Sequence, residues 1–229
     1  MSLYGYAKPT TPRLAALGER LAVLGPIEAI YPDTARELRM ILTRATRAAR
    51  EAAIETMPVA FRRRGYRTVL VSAQGHWERY CGVEQMIFAA CETRRYVSDD
   101  AALREAVLDE FKAQEGDRRP VAVFAHMIGS HFEPGDRVPP GFAEGEGLDD
   151  YDRSVRYTDE VLSGLIERLP PRTALVFVSD HGESVDCAGW RDQRSASLWR
   201  VPLLVFPADC SERFQGVHDV GEIWYTMFR

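Results

Sequence analysis

Short apolar segments alternate with longer segments of helical periodicity, and this alternation is the feature that most constrains the fold. The apolar segments are short and partly β-branched, which favours strands over helices. Strands that are apolar along both faces are typical of a parallel sheet with helices on each side. The alternation therefore predicts an α/β fold with a mostly parallel sheet covered on both faces. The predicted strands are residues 65–72, 121–125, 172–179 and 201–206.

Apolar residues at helical spacing predict helices before and between these strands, and the last of these helices has the clearest apolar stripe. Residues 132–148 are rich in glycine, proline and acidic side chains, which is typical of a loop. The sequence has neither an internal repeat nor a low-complexity tract, and its 229 residues correspond to one large domain or two small ones. The predicted helices are residues 11–24, 34–50, 101–111 and 151–169.

The charge balance argues against a nucleic-acid partner. The chain has 29 lysine and arginine residues against 34 aspartate and glutamate residues, a formal charge of −5. Binding to a phosphate backbone would need a concentrated basic surface to overcome that balance. The densest basic run, at residues 62–67, lacks a series of aromatic residues, and we interpret it as the solvated end of a helix.

The sequence predicts neither a membrane span nor an export signal. Its apolar runs fall short of the ~18 residues that cross a bilayer, and residues 1–12 lack the basic and then apolar pattern of a leader peptide. On this evidence the chain stays in the compartment where it is made. The cysteines lack metal-binding spacing and are either buried thiols or up to two disulfides. They are Cys81, Cys91, Cys187 and Cys210.

Polar side chains follow the predicted strands at the position where ligands gather in such sheets. Asp180 and His181 come directly after the third strand, and carboxylate beside imidazole is a natural half-site for a divalent metal. His126 and His131 follow the second strand. Asp180 could instead cap a helix beside a surface histidine, but the two further histidines favour the metal site.

Thr34 is a candidate nucleophile because it stands where an extended segment, ending at Pro32 and Asp33, gives way to a helix. Backbone N–H groups and the helix dipole favour an anion at such a position. A hydroxyl beside a metal there could lose its proton and attack phosphorus. From the residues alone, Thr34 is equally compatible with an N-cap, the commoner role of threonine at a helix start.

Motifs spread over almost the whole chain resemble those of the alkaline phosphatase and sulfatase superfamily, and within it the phosphoethanolamine transferases that modify bacterial lipopolysaccharide. The resemblance implies a three-layer α/β/α sandwich of the alkaline-phosphatase type, with one sulfatase-like catalytic domain over residues 1–229. The matching segments are Ser-Leu-Tyr-Gly-Tyr at 2–6, Thr34 with Ile-Leu-Thr at 41–43, Gly-Tyr-Arg-Thr at 65–68, His-Met-Ile-Gly-Ser-His at 126–131, Ser-Asp-His-Gly-Glu-Ser at 179–184 and Val-Pro-Leu-Leu-Val at 201–205.

The resemblance also implies a zinc-dependent group transfer. Thr34 would attack phosphatidylethanolamine, carry the phosphoethanolamine group and pass it to a lipopolysaccharide or glycan acceptor. Asp180 and His181 fall on the family's Zn²⁺ ligands, with the Thr34 hydroxyl completing the shell. His131 falls on a histidine that the family uses at the substrate or a second metal. His126 is a weaker candidate for the same neighbourhood, where a core histidine bonded to backbone is an equal alternative.

Departures from the family pattern keep a second hypothesis open. Family members act at the periplasmic face of the bacterial inner membrane and carry membrane helices, so we expect membrane association only through segments absent from these residues. We also expect the family's first strand, with its metal-binding glutamate, to be lacking, and the stretch around Gln193 has no histidine where the family has one. The second hypothesis is a fragment that retains the fold but binds metal poorly.

The residues around Thr34 help to distinguish phosphoethanolamine transfer from other reactions of the superfamily. A sulfatase is disfavoured because no Cys-x-Pro-x-Arg or Ser-x-Pro-x-Arg run occurs there. A phosphoglycerol transferase or a phosphodiesterase remains an alternative, since these share the threonine and metal chemistry. The sequence does not name the acceptor, whether lipid A, core heptose or a periplasmic glucan.

Overall fold

The computed structural model describes residues 1–48, 55–75, 87–113, 117–131, 133–183 and 195–228. Within these ranges helices and strands alternate through most of the chain. The helices are α1 (Pro12–Ala16), α2 (Thr34–Leu42), α3 (Met57–Arg63), α4 (Asp100–Lys112), α5 (Asp150–Ile166) and α6 (Ile223–Phe228). The strands are β1 (Ala22–Glu28), β2 (Arg67–Ser72), β3 (Thr93–Tyr96), β4 (Val121–His126), β5 (Leu175–Val178) and β6 (Arg200–Phe206).

The described strands form two three-stranded sheets. One is parallel, in the order β3-β2-β4, and the other is antiparallel, in the order β1-β6-β5. In the first sheet Val69 of β2 lies opposite Thr93 and Val123. In the second, Leu204 of β6 lies opposite Val23 and Phe177. The central strands β2 and β6 are therefore paired along both edges.

Helices cover both faces of the sheets, which confirms the α/β/α sandwich. On one face, α2, α3 and α6 pack against β6, and on the other, α4 and α5 pack against β2 while α1 and α5 pack against β6. The residues of the first layer include Met40, Ile41, Met57, Ala60 and Trp224, against Val201, Leu203 and Val205. Those of the second include Leu14, Leu103, Val107, Leu162 and Leu165, against Val69, Val71 and Leu204.

The predicted strands all exist, although 172–179 shortens to β5, while the first predicted helix is wrong. Helix α1 ends at Ala16, and the chain passes through a turn at Gly18, whose φ of 53° suits glycine, into β1. Three of the four leucines that suggested one continuous helix are nevertheless buried, whereas Leu24 is half-buried and packs on the opposite face of the sheet. Leu14, Leu17 and Leu21 pack in one cluster with α5, so their helical spacing reflects a shared core rather than a shared helix.

Other segments differ more modestly from the prediction. The helix predicted at 34–50 ends at Leu42, and residues 49 and 50 lie outside the described part of the chain. Strand β3 was not predicted because it is an exposed edge strand without an apolar run. The basic run does form a helix end, since α3 finishes at Arg63, but Arg67 belongs to β2 and its guanidinium lies 2.9 Å from the Glu110 carboxylate.

Cys91 is buried and Cys210 is exposed, whereas Cys81 and Cys187 lie outside the described residues, so their pairing stays a prediction. No helix in the part of the chain that the structure describes is both long and apolar enough to cross a membrane.

Candidate active site

One cavity of about 1950 Å³ opens where β4 and β5 end and α2 begins. Five side chains that the sequence analysis proposed line this cavity, namely Thr34, His126, His131, Asp180 and His181. They come from three separate parts of the chain and are gathered because the strands deliver them to the same edge. The charges of Asp180 and His131 act on His126, and that of His181 acts on Asp33, the neighbour of Thr34, so these groups are close to one another. Their individual chemical roles stay predictions.

Asp33, not Thr34, caps helix α2. Asp33 has extended backbone angles, φ −149° and ψ 144°, and its side chain accepts a hydrogen bond of 3.1 Å from the backbone N–H of Arg36. The N-cap interpretation of Thr34 is therefore wrong. Thr34 is the first residue of the helix, 6% exposed, and its side chain is available to the cavity rather than used for capping.

The charge beside Thr34 is held in place by an ion pair. Burial of Asp33 opposes its ionisation, but hydrogen bonds from the side chain and backbone of Arg36 outweigh it and lower the pKa of the Asp33 carboxyl. The guanidinium of Arg36 also lies over the ring of Tyr31, 4.7 Å from its centroid. These contacts fix the turn from which Thr34 projects.

Glu37 fastens the same turn from inside the protein. It is fully buried, and its two carboxylate oxygens accept hydrogen bonds of 2.7 Å from the backbone N–H groups of Ile30 and Tyr31. Glu37 lies one turn after Thr34 on α2, so it links the helix that carries Thr34 to the end of the segment that precedes it. Burial raises the pKa of Glu37 to about 8, and the nearby charges of Asp180 and Asp219 act in the same direction.

The sequence analysis missed Glu37, although the sequence holds a signal for it. Met40 and Ile41, three and four residues later, are both buried, so position 37 lies on the apolar face of α2. A carboxylate on that face must find buried hydrogen-bond donors. What the sequence could not reveal was that those donors are backbone groups just ahead of the candidate nucleophile.

His181 is arranged as metal-binding imidazoles are. It is 8% exposed, and its Nδ1 lies 2.8 Å from the carbonyl oxygen of Gly182, to which it donates as the Nδ1–H tautomer. Its Nε2 is buried, has no hydrogen-bond partner among the described residues, and lies 3.4 Å from Asp180 Oδ2. A backbone acceptor on one nitrogen and an open lone pair on the other is the usual setting of a ligand histidine. The surface-histidine alternative is wrong.

Glycine is required at the turn that follows His181. A Cβ atom at Gly182 would lie 1.9 Å from the carbonyl oxygen of Ser197, so only glycine permits this approach of the two backbones. A 2.9 Å hydrogen bond from the N–H of Gly182 to the carbonyl of Leu198 joins the two backbones. Ser179 Oγ donates to the carbonyl of His181 at 2.8 Å, which fixes the other side of the turn.

His126 is the last residue of β4 and lies beside Ser72 and Phe88. Its Nδ1 is 3.5 Å from Ser72 Oγ, and its ring packs 5.5 Å from the ring of Phe88. The partner of its Nδ1 is thus a hydroxyl rather than a backbone group. Burial lowers the pKa of His126 to about 4, partly offset by the charge of Asp180, so the ring is neutral at neutral pH.

The loop that carries His131 is held by a second buried carboxylate. Asp100, at the start of α4, accepts hydrogen bonds of 2.8 and 2.9 Å from the backbone N–H groups of Ile128 and Gly129. Gly129 has a φ of 59°, which suits glycine. Burial raises the pKa of Asp100, against the effect of the two hydrogen bonds. His131 follows this anchored turn and lines the cavity.

In the described part of the chain, Asp180 and His181 form only part of a metal site. Within those ranges no group of three or more histidine, cysteine, aspartate or glutamate side chains is arranged to hold a metal ion. Asp180 and His181 fit two positions of a zinc shell in donor type, whereas protein zinc sites normally use three or four protein ligands. The stretch around Gln193 lies outside the described residues.

The structure brings a hydroxyl, a carboxylate and imidazoles to one cavity of an α/β/α sandwich, the arrangement that the resemblance noted in the sequence implies. The profile of the sulfatase family matches residues 1–218. This chain belongs to the sulfatase family.

Among curated relatives, the chain is similar to phosphoethanolamine transferase EptC of Escherichia coli K12, with 27% identity over 257 aligned residues that cover 95% of this chain and 44% of that protein. It is also similar to Kdo(2)-lipid A phosphoethanolamine 7''-transferase of E. coli K12, with 26% identity covering 91% of this chain and 42% of that protein. The chain spans less than half the length of these relatives.

Solved structures confirm the fold. The C-terminal periplasmic domain of E. coli EptC, in complex with zinc, matches with a TM-score of 0.85 and 22% identity, covering 99% of this chain and 76% of that chain. The soluble domain of lipooligosaccharide phosphoethanolamine transferase A from Neisseria meningitidis matches with a TM-score of 0.75 and 16% identity, covering 98% of this chain and 80% of that chain. The fold is thus of the alkaline-phosphatase type, as the sequence predicted.

The raised pKa of Glu37 predicts a pH dependence of stability. Between the ordinary carboxyl pKa, about 4.5, and about 8, the folded state holds a proton that the unfolded chain has released, so the free energy of unfolding falls as pH rises. Glu37→Gln removes this proton and should flatten the decline by up to about 1.4 kcal/mol per pH unit. Urea unfolding from pH 5 to pH 8 measures it.

The matched control for that experiment is Glu19→Gln, since Glu19 is an exposed carboxylate outside the cavity. Its stability profile should run parallel to that of the parent chain. Identical slopes for Glu37→Gln and the parent chain would show that Glu37 does not titrate between pH 5 and pH 8 in the folded protein.

Proposed function

We propose that this chain is the catalytic domain of a zinc-dependent transferase that moves phosphoethanolamine from phosphatidylethanolamine to a lipopolysaccharide or glycan acceptor. The observation that carries the proposal is the position of Thr34. Its side chain is relieved of capping by Asp33 and lines the same cavity as Asp180 and His181. The names of the matched relatives support the same general reaction, phosphoethanolamine transfer, with lipid A as the acceptor of one of them.

His181 Nε2 and the Asp180 carboxylate would hold Zn²⁺, with the Thr34 hydroxyl as a further ligand. The zinc complex of the E. coli EptC domain supports this choice of metal. When bound, the ion lowers the pKa of a coordinated hydroxyl and offsets the charge of the phosphoryl oxygens. The Gly182 carbonyl holds Nδ1–H of His181 and thereby directs Nε2 toward the metal position.

The transfer takes two steps through a covalent intermediate at Thr34. In the first, Thr34 Oγ1 loses its proton and bonds to phosphorus, the bond from phosphorus to the diacylglycerol oxygen breaks, and that oxygen leaves as a protonated hydroxyl. Thr34 then carries phosphoethanolamine. In the second step the oxygen of an acceptor hydroxyl bonds to phosphorus and gives up its proton, the bond from phosphorus to Thr34 Oγ1 breaks, and Oγ1 regains a proton. The positive end of the α2 dipole favours the anionic phosphoryl group at Thr34 in both steps.

His126 and His131 are assigned to the substrate. Both line the cavity, and they are close enough that a positive charge on His131 lowers the pKa of His126. Because the pKa of His126 is lowered to about 4, its ring is neutral at the pH of the reaction and can accept a hydrogen bond without repelling an ammonium group. We place the reaction at the periplasmic face of the bacterial inner membrane, since the matched solved structures include periplasmic domains.

The alternative proposal is a non-catalytic domain that keeps the fold but binds metal poorly. It is favoured by the small number of metal ligands, because the described residues hold no cluster of three. A phosphoglycerol transferase or a phosphodiesterase would use the same Thr34 and metal chemistry and differs only in the group carried. Two measurements test the nucleophile and the metal site, and the second separates the transferase from the metal-poor domain.

Thr34→Ala in the full chain should lower diacylglycerol release from phosphatidylethanolamine by at least about 1000-fold in the presence of Zn²⁺, because the nucleophile is lost. Thr34→Ser should retain part of the activity, since it keeps a hydroxyl. Thr173→Ala is the matched control, because Thr173 lines the cavity at the opposite end of β5. Equal activity of Thr34→Ala and Thr173→Ala would exclude Thr34 as the nucleophile.

Calorimetric titration with Zn²⁺ tests the metal site separately from activity. The parent chain should bind Zn²⁺, and His181→Ala should weaken binding by at least about 100-fold, because the buried Nε2 supplies a ligand. His218→Ala is the control, since His218 is exposed and does not line this cavity. Absence of zinc binding by the parent chain would favour the metal-poor domain.

A further inference from the structure

The arginines that line the cavity lie at its two ends. Arg118 and Arg172 precede β4 and β5, and Arg213 follows β6, so all three lie at the end opposite the candidate site. Arg200 is the first residue of β6, and because β6 runs antiparallel to β5, Arg200 lies at the end where β5 finishes. Among the described residues, Arg200 is therefore the only arginine or lysine that lines the cavity at the candidate site.

Backbone hydrogen bonds hold Arg200 between two segments of the site. The carbonyl of Leu198 accepts a 2.9 Å hydrogen bond from the N–H of Gly182, in the turn after the candidate metal ligands. The carbonyl of Trp199 accepts a 2.8 Å hydrogen bond from the N–H of Ala29, in the segment between β1 and α2. Strand β6 itself is paired along both edges. Arg200 thus stands on rigid backbone, which suits a residue that must place a side chain accurately.

Arg200 and Thr34 belong to opposite faces of the same sheet. Side chains alternate along β6, so that Val201 and Leu203 pack in the layer that contains α2, whereas Leu204 packs against α1 and α5. Arg200 falls on the same face as Leu204, while Thr34 is the first residue of α2. A ligand at the edge of the sheet can therefore be contacted by Thr34 from one side and by Arg200 from the other.

The charge of Arg200 is not balanced by the residues that the structure describes. Glu28 of β1 lies directly opposite Arg200 in the sheet, and such a pair of opposite charges is normally favourable. The Glu28 carboxylate, however, lies 3.0 Å from the guanidinium of Arg47. The Arg200 side chain is exposed and, within the described ranges, forms neither a hydrogen bond nor an ion pair.

Neighbouring cations are already held by carboxylates. Arg36, on the first turn after Thr34, is ion-paired with Asp33. Lys8 is ion-paired with Asp152, and neither Arg36 nor Lys8 lines the cavity. Of these three cations, only Arg200 has its charge free for a ligand.

We propose that Arg200 binds a phosphate group of a substrate at the end of the cavity that holds Thr34 and His181. A guanidinium is planar and always protonated, and it can donate two parallel hydrogen bonds to two oxygens of one phosphate. The proposal rests on the proposed function, because phosphoethanolamine transfer brings phosphate to this end of the cavity. The phosphate belongs either to the donor phosphodiester or to a phosphorylated sugar acceptor, and the experiment distinguishes these sources.

Binding is measured by NMR titration of the isotope-labelled full chain without added metal, which requires no catalytic activity. One probe is glycerophosphoethanolamine, which carries the phosphodiester of the donor, and the other is glucosamine phosphate, which carries phosphate on a sugar. Arg200→Gln should raise the dissociation constant of at least one probe by at least about tenfold, because charge-assisted hydrogen bonds are lost. Arg200→Lys should have a smaller effect, since it keeps the charge without the planar fork.

The matched control is Arg118→Gln, because Arg118 is also an exposed arginine that lines the cavity, but at its far end. It should bind both probes as the parent chain does. The thermal midpoint of Arg200→Gln should equal that of the parent chain, since the Arg200 side chain is exposed.

The pH dependence separates Arg200 from the histidines that line the same cavity. The guanidinium stays protonated at pH 8, whereas an ordinary imidazole is neutral there. The difference between the parent chain and Arg200→Gln should therefore persist at pH 8. A difference that disappears at this pH would overturn the proposal, because the loss of affinity would then act through a histidine.

A loss of affinity confined to glycerophosphoethanolamine would assign Arg200 to the donor, and a loss confined to glucosamine phosphate would assign it to the acceptor. Equal dissociation constants for Arg200→Gln and Arg118→Gln with both probes would overturn the proposal, as would a parent chain that binds neither probe. The titration does not depend on the reactivity of Thr34, so this result and the nucleophile test can fail independently.

Discussion

A buried carboxylate that accepts two successive backbone N–H groups recurs around the site, and the loops that form the cavity depend on it. Glu37 holds the turn before Thr34, and Asp100 holds the turn before His131. Asp159 of α5 does the same at the start of α1. Burial raises the pKa of all three, so each has a cost in solvation, but each satisfies two N–H groups that would otherwise be buried without partners. The site is therefore positioned by interior polar contacts rather than by the strands alone.

Much of the fold was predictable because buried strands carry a local signal. The apolar runs that became β2, β4, β5 and β6 are continuous and short, as central strands require. Strand β3 carries no such signal because an exposed edge strand needs no apolar run. Leu14, Leu17 and Leu21 misled the prediction because their helical spacing suggested one helix. In the structure they belong to a short helix and the turn that follows it, and all three pack against α5. Pairing between strands is non-local, so the division into two sheets could not be inferred.

The sequence predicted where the residues of the candidate site lie, but not what each of them does. Side chains after strand ends converge in any sheet of this kind, which is why Thr34, His131 and His181 were found. Which of two adjacent polar residues caps a helix depends on backbone angles, and these assigned the cap to Asp33. Glu37 escaped notice because its partners are backbone groups, which have no sequence signature.

Covalent attachment of phosphoethanolamine to Thr34 is tested most directly by mass spectrometry of the full chain after incubation with phosphatidylethanolamine and Zn²⁺, without acceptor. A phosphoethanolamine group on the peptide that contains Thr34, lost when a glycan acceptor is added and absent from Thr34→Ala, is the predicted result. Attachment at another residue, or release of diacylglycerol without any modified peptide, would contradict Thr34 as the residue that carries the transferred group.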